Sequence, residues 1–330
     1  MADKYRILIT GGSGFIGTNL VEHYSRAGLP VCNLDSSPPR NPAHRHLWAQ
    51  VDLLSSSEMK TALREFCPTH LFHLAARTDL NGNSIDDYLT NTVGVTILID
   101  AAASVPDLRR ILFASSRLVC RIGYRPAHAR DYNPTTAYGA SKVEGERRVY
   151  DADNLACQWA VIRPTSIWGP WFGTPYRNFF DAVRRGHYVH PRGACIRKSF
   201  GYVGNTVHQL DRLMFEDTMT INGRMFYLCD SPPIEVGEFA RMIRNEFNAP
   251  PIHSAPLAML RAAALAGDML QACGIKNPPL SSFRLDNLLT EMLHDTSDLT
   301  AICGSNPHSV LRGISQTVEW MSASQVEVPR

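Results

Sequence analysis

Short apolar runs alternate with longer amphipathic stretches through the first half of the chain. The runs "YRILIT" (5–10), "PVCNL" (30–34), "LWAQV" (47–51), "HLFHLA" (70–75), "RRILFAS" (109–115) and "QWAVIRP" (158–164) predict strands. Between them, segments 15–27, 56–66, 84–104 and 136–154 carry helical periodicity. Strands separated by helices of this length predict a parallel sheet covered on both faces, an α/β Rossmann-type doubly wound fold.

Past residue 165 the regularity gives way to Gly and Pro clusters at "WGPWFGTPY" (168–176), "PRGAC" (191–195) and "NAPP" (248–251). Helical patterns return at 177–186, 205–217, 235–247 and 256–273. This predicts a dinucleotide-binding core over 1–165 and a smaller, mixed substrate-binding region over 166–330, some of whose segments return to the core.

Composition narrows the function classes. A chain of 330 residues can bury a substantial core, and its formal charge of +2 implies neither a nucleic-acid nor a membrane-surface partner for the molecule as a whole. Eight dispersed cysteines with no CxxC pair, behind a start ("MADKYRILIT") without signal-peptide character, suit reduced thiols in a cytoplasmic protein. The apolar segment 256–274 is short and interrupted by Arg261 and Asp268, which argues against a membrane span. No HExxH or clustered His/Cys spacing occurs among the twelve histidines, so no metal is expected.

"ILITGGSGFIGTNL" sets a Gly-rich turn directly between an apolar strand and an amphipathic helix. Gly11, Gly14 and Gly17 have GxxGxxG spacing, and with Phe15 and Ile16 they form a candidate dinucleotide turn. A turn without Cβ atoms lets backbone N–H groups at a helix start approach a pyrophosphate. Asp35 follows about 20 residues later, where a carboxylate accepts hydrogen bonds from ribose hydroxyls. That charge favours NAD over NADP, although Arg40 nearby would suit a 2′-phosphate. Asp52, with Leu53 beside it, is a candidate for the adenine end, and a turn role fits Asp52 nearly as well.

In "YGASK", Tyr138 and Lys142 stand one helical turn apart on one face. A cation there is expected to pull the phenol's pKa down from about 10 toward working pH. Such a tyrosine can exchange a proton with a hydroxyl while a nicotinamide exchanges the hydride. Ser116, at a strand end, could hold the same substrate oxygen. Each signal alone is weak; the order of Gly turn, strand-end serine and YxxxK helix carries the assignment. Between Arg177 and Lys198 six basic residues face the single acid Asp181. Of these, Arg192 and Lys198 are candidates for substrate phosphate, whereas Arg184 and Arg185 read as a solvated helix face.

These motifs, with "HLAA" (73–76), "NTVG" (91–94), "ASS" (114–116), "IRPTSIWGP" (162–170) and "KSFGYVGN" (198–205), resemble the extended short-chain dehydrogenase/reductase family, in particular its nucleotide-sugar epimerase/dehydratase branch. "NPHSVLRGISQTVEW" (306–320) looks like the family's closing helix. The resemblance implies a Ser116, Tyr138 and Lys142 triad, Asn91 as a helper to the proton relay and cofactor site, and Leu74, Ala75 and Ala76 beside NAD. It also implies a C-terminal region that holds a nucleotide sugar, and a homodimer packed through helices 84–104 and 136–154.

Four departures stand out. Arg117 and Leu118 replace the Asp-Glu pair with which dehydratases of the family remove water, which argues against 4,6-dehydration. Cys120 and Arg121 replace a Tyr-Gly pair, Ser166 a frequent Asn, and Asn205 a frequent Asp. Arg117 and Ser166 are thereby candidate substrate contacts. The expected function is an NAD-dependent nucleotide-sugar epimerase working through a transient keto intermediate. Alternatives are a reductase or dehydrogenase of a keto-sugar or steroid-like alcohol, and a non-catalytic NAD-binding regulator. Which nucleotide and sugar are used is not written in these residues.

Overall fold

The computed structural model describes residues 5–216, 221–274 and 280–326. Residue 217, the end of one expected helix, lies outside them. Seven parallel strands form the main sheet: β1 (Ile7–Thr10), β2 (Val31–Asp35), β3 (Trp48–Gln50), β4 (His70–His73), β5 (Arg110–Ala114), β6 (Gln158–Pro164) and β7 (Met225–Leu228). Their order is β7-β6-β5-β4-β1-β2-β3. Chain direction across the sheet therefore reverses between β1 and β4, and a crevice opens beyond the strand ends there.

The pleat sorts the core into two layers. Ile7 and Ile9 point toward Leu20 and Tyr24 of α1 (Phe15–Arg26), whereas Leu8 points toward Met59 and Leu63 of α2 (Ser56–Phe66) and Leu98 of α3 (Val93–Ala102). Each such buried side chain contributes about 1.5–3 kcal/mol relative to exposure. Both faces are covered, so the strands read as continuous apolar runs rather than alternating ones.

The expected helix 84–104 is broken. Residues Ile85–Asn91 form 3-10 turns with Tyr88 outside helical geometry (φ −122°, ψ 42°), and α3 begins only at Val93. Tertiary contacts override local periodicity here: the Tyr88 ring is fully buried, and its hydroxyl donates to Asp79 O and accepts from Gly82 N. Helix α4 (Ala137–Tyr150) starts where the Thr136 hydroxyl accepts from Gly139 N at 3.0 Å, and stops short of the expected residue 154 to let the chain turn into β6.

After β6 the chain leaves the sheet, forms α5 (Tyr176–Arg184), and comes back through α6 (Val203–Phe215) and β7. β7 was not expected from the sequence; it pairs Met225–Leu228 with Val161–Pro164. Leu260, Ala264 and Leu285 form a separate small cluster, while a third core gathers part of the remainder around Trp168, whose ring lies 5.1 Å from both Tyr202 and Phe239. The closing helix spans Val310–Val326 and adds Ile314 and Met321 to this core. Asn205 is a junction there: its side chain donates to Asp230 and His308 O and accepts from His308 N.

Among the described residues no helix is long and apolar enough to cross a membrane, and no His/Cys/Asp/Glu group could hold a metal. All eight cysteines are free thiols.

Candidate active site

A cavity of about 900 Å³ runs along the C-terminal ends of β1, β2, β4, β5 and β6. It is lined by Gly11, Gly14, Phe15, Ile16 and Gly17, by Asp35, Asp52 and Leu53, by Leu74, Ala75 and Ala76 beside Gly11, and by Ser116, Tyr138 and Lys142. Fourteen of the residues expected at the site thus share one wall. Asn91, Arg117, Ser166, Arg192 and Lys198 do not line it.

The turn that opens α1 is a cradle only glycine allows. Gly11 has φ +74°, and a Cβ there would lie 2.5 Å from Ala75 N; a Cβ at Gly17 would lie 2.2 Å from Gly11 O. Gly14 caps α1 without any side chain, and the first helical turn holds no acid, so its positive end is left to an anion. Asp35 stands across the turn, its carboxylate accepting from Ser13 N at 3.1 Å and Ser37 N at 2.9 Å. A pyrophosphate over the glycines and a ribose at Asp35 fit this wall, and the buried Ser115 hydroxyl, with no partner, waits farther along it. When bound, NAD supplies the acceptor and donor of a hydride. Arg40 is spoken for: it donates to Ser13 O at 3.2 Å and Trp171 O at 2.9 Å, tying the Gly turn to segment 169–176. That segment adds Phe172, Thr174 and Tyr176 to the cavity wall. Only its Gly/Pro clustering marked it in the sequence.

Ser116 lies two residues past β5, and its hydroxyl accepts from Leu118 N at 3.1 Å while pairing with the Tyr138 phenol. Tyr138 is 7 % exposed. Its pKa is raised, first by burial; Ser116 and the charge of Arg117 pull the other way. The expected lowering by Lys142 does not occur. Lys142 donates to Ala114 O at 2.9 Å instead, and burial brings its own pKa down to about 8 against the opposing charge of Glu146. At the phenol, desolvation therefore outweighs the Ser116 hydrogen bond and the charge of Arg117. Below Lys142, Glu146 forms a buried pair with Arg163 at 2.7 Å, and Arg163 also donates to Tyr227 and Ala129 O. Glu146 lies one turn past Lys142, a spacing that could have exposed its role.

Five expected contacts sit elsewhere. Asn91 is a clamp rather than part of the cavity wall: it bonds both backbone groups of Arg77 at 2.9 Å and donates to Ser141 at 3.0 Å. Ser166 is buried behind Tyr176, whose hydroxyl donates to it at 2.7 Å. Arg192 is exposed on the loop beside strand His253–Ala255, away from the cavity. The Lys198 ammonium is buried and donates to Asn287 O at 2.5 Å. Arg117 points into a neighbouring cavity. Arg177 and Arg184 lie 3.9 and 3.4 Å from Asp181, which balances part of the positive charge of the helix.

The sequence model described as the NAD dependent epimerase/dehydratase family matches residues 7–225. A 3 beta-hydroxysteroid dehydrogenase/Delta 5-->4-isomerase of Mycobacterium tuberculosis is 30% identical over 258 residues, 72% of this chain and 68% of that protein. An N-acetyl-alpha-D-glucosaminyl-diphospho-ditrans,octacis-undecaprenol 4-epimerase of Escherichia coli O157:H7 is 23% identical over 95% of this chain and 94% of its own. The fold matches the crystal structure of UDP-glucose 4-epimerase from Thermotoga maritima with a TM-score of 0.74 at 18% identity, covering 97% of this chain and 99% of that one. The Gly cradle, the carboxylate that ends β2 and the Ser116–Tyr138 pair belong to the part of the chain that the family model spans. The chain is a member of the NAD-dependent epimerase/dehydratase family.

Proposed function

We propose that the protein epimerises a nucleotide-activated sugar through a keto intermediate. The observation that carries this is the meeting, in one cavity, of the Gly cradle with the Ser116–Tyr138 pair, while Arg117 and Leu118 offer no acid and base for dehydration. The relative that spans nearly the whole chain, named for a 4-epimerase of a sugar on diphospho-undecaprenol, supports epimerisation of a diphosphate-linked sugar.

In it, Ser116 and Tyr138 hold the carbinol oxygen. With its pKa raised, the Tyr138 phenol keeps its proton at neutral pH and donates to a carbonyl oxygen, the direction needed in the second half of the reaction. In the first half the phenol must first give up its proton, because only the phenolate can take one from the hydroxyl. Lys142, with a pKa of about 8, lies close enough to neutrality to change its charge state as the phenol changes its own. The C-terminal region carries the nucleotide. A second reading, net oxidation of a fused-ring secondary alcohol, is favoured by the hydroxysteroid dehydrogenase relative at 30% identity.

The test is incubation of purified protein with UDP-, GDP-, CDP- and dTDP-sugars, and separately with 3β-hydroxysteroids and NAD. Product mass, isomer separation and NADH absorbance are followed. Isomers of unchanged mass without net NADH support epimerisation; stoichiometric NADH from the steroid supports the second reading. Tyr138→Phe should lower turnover by about 10²–10⁴ while NAD still binds. Unchanged turnover refutes the role given to the phenol.

The protein is also proposed to be a cytoplasmic homodimer. Ile85, Leu89 and Val93 are 40%, 45% and 38% exposed, an apolar stripe on the segment expected to pair. Light scattering should show twice the chain mass, and Leu89→Asp should reduce it to one.

A further inference from the structure

Just past Ser116 the chain makes a short 3-10 turn, Arg117–Val119, and carries Arg117 out of the cofactor cavity into a second one of about 210 Å³. Its charges are unbalanced. Arg117, Arg121 and Arg125 line it against one carboxylate, the exposed Glu291, and none of the three guanidinium groups has a hydrogen-bond or ion-pair partner among the described residues. Arg121 and Arg125 are exposed and can be solvated, whereas Arg117 is partly buried.

Facing it is His294, stacked on Tyr227 with ring centroids 4.1 Å apart and held by a backbone bond from its N to the Ser199 hydroxyl at 3.1 Å. Its Nε2 is shut off from solvent with no partner. An unsatisfied atom of this kind costs about 1–3 kcal/mol, which a polar partner in the cavity would recover. The neighbourhood is short of negative charge as well: burial and then Arg117 hold Lys198 down to about 8 and His294 to about 4.

We propose that this second cavity binds an oxyanion carried by the substrate, with Arg117 as its charged partner and His294 Nε2 as a hydrogen-bond donor. Arg117 directly follows Ser116, and consecutive Cα atoms stand about 3.8 Å apart. On this proposal the anion is a substituent of the same small molecule whose carbinol lies at Ser116 and Tyr138. Given the epimerase reading, on which this rests, two groups qualify: a sugar carboxylate or the substrate's phosphate. A planar guanidinium suits either.

The test uses the NAD-loaded protein, so that the pyrophosphate cradle is filled. Malonate and inorganic phosphate are titrated by calorimetry at low salt into wild type, Arg117→Met and His294→Phe, the last keeping the stack on Tyr227. An unchanged NAD affinity confirms that each variant is folded. A loss of at least tenfold for either anion in Arg117→Met, with a smaller loss in His294→Phe, is expected; no change in both variants overturns the site. A nucleotide hexose and a nucleotide hexuronate then identify the source. A loss confined to the hexuronate assigns the carboxylate, and an equal loss for both assigns the phosphate. If neither nucleotide sugar binds or epimerises while the simple anions still depend on Arg117, the epimerase reading fails and the anion site stands.

Discussion

Replacing Glu146 by Gln separates the structural and the electrostatic work of one buried carboxylate. Its oxygens accept from Arg163 Nε at 2.8 Å, from Arg163 Nη2 at 2.7 Å and from the Tyr132 hydroxyl at 2.9 Å, and the two charged side chains are 2% and 0% exposed. An amide in that place leaves the guanidinium charged and without a counter-ion in a low-dielectric interior. Breaking such a pair costs about 3–5 kcal/mol. Arg163 keeps its bonds to Tyr227 at 3.1 Å and Ala129 O at 2.6 Å, which puts the expectation at the lower end, about 3 kcal/mol. Urea unfolding should show a lower midpoint with an unchanged slope. The double variant Glu146→Leu, Arg163→Met should recover most of the loss, because two apolar side chains need no pairing. Lys142 gives the second readout. Burial depresses its pKa to about 8 while Glu146 opposes the shift, so without Glu146 the ammonium should lose its proton at lower pH. The alkaline limb of kcat/KM should then move down in the single variant and stay down in the restabilised double variant. A single-variant cost below about 1 kcal/mol, or a double variant that simply adds the two single costs, would refute the reasoning.

Three further outcomes follow from the same geometry. Gly11→Ala should lose NAD binding and more than about 1 kcal/mol of stability, since φ +74° and a Cβ 2.5 Å from Ala75 N both oppose it; dye-monitored melting and NAD titration check this. Asp35→Ala should weaken NAD by about 1.5–3 kcal/mol and narrow its advantage over NADP, measured as the ratio of the two affinities. Acid should destabilise the fold through His70 and His73, whose pKa values burial lowers to about 4 and about 3. Both folded values lie below the ordinary 6.5, so the stability is present above that pH and is lost as pH falls from 6.5 toward 4 and 3. At pH 5 each costs about 2 kcal/mol, and Asp230, raised to about 6 by burial, offsets about 1 kcal/mol. A melting temperature that does not drop between pH 7 and 5 would contradict this.

What the sequence disclosed was whatever depends on local pattern. Strands such as β1 and β5 were readable because both faces of the sheet are covered there, which makes each a continuous apolar run. The Gly turn, Asp35, Ser116 and the Tyr138/Lys142 pair were readable from their order along the chain. Features made by distant residues were not. β7 is four residues in an irregular stretch, and only its pairing with β6 makes it a strand of the main sheet. Tyr88 breaks a good helical pattern because its ring is wanted in the core. Nothing local says that Lys142 bonds Ala114 O, that Glu146 meets Arg163, or that Asn91 closes on Arg77 rather than facing the cofactor. Basicity alone could not tell the buried Lys198 from the solvent-facing Arg192.

The late return of the chain to its sheet bears on how the molecule is made. β6 leaves the ribosome with one edge bare, and that edge stays unpaired until residues 225–228 have been synthesised. An exposed parallel edge is a template for wrong partners. The same holds for any fragment cut near residue 165: it would keep Gly11, Gly14, Gly17, Asp35 and Asp52 yet lack both β7 and the α6 side chains Leu210 and Leu213 that cover one sheet face. Such a piece should aggregate rather than bind NAD, so the half that recognises the cofactor depends for its solubility on the half that follows it.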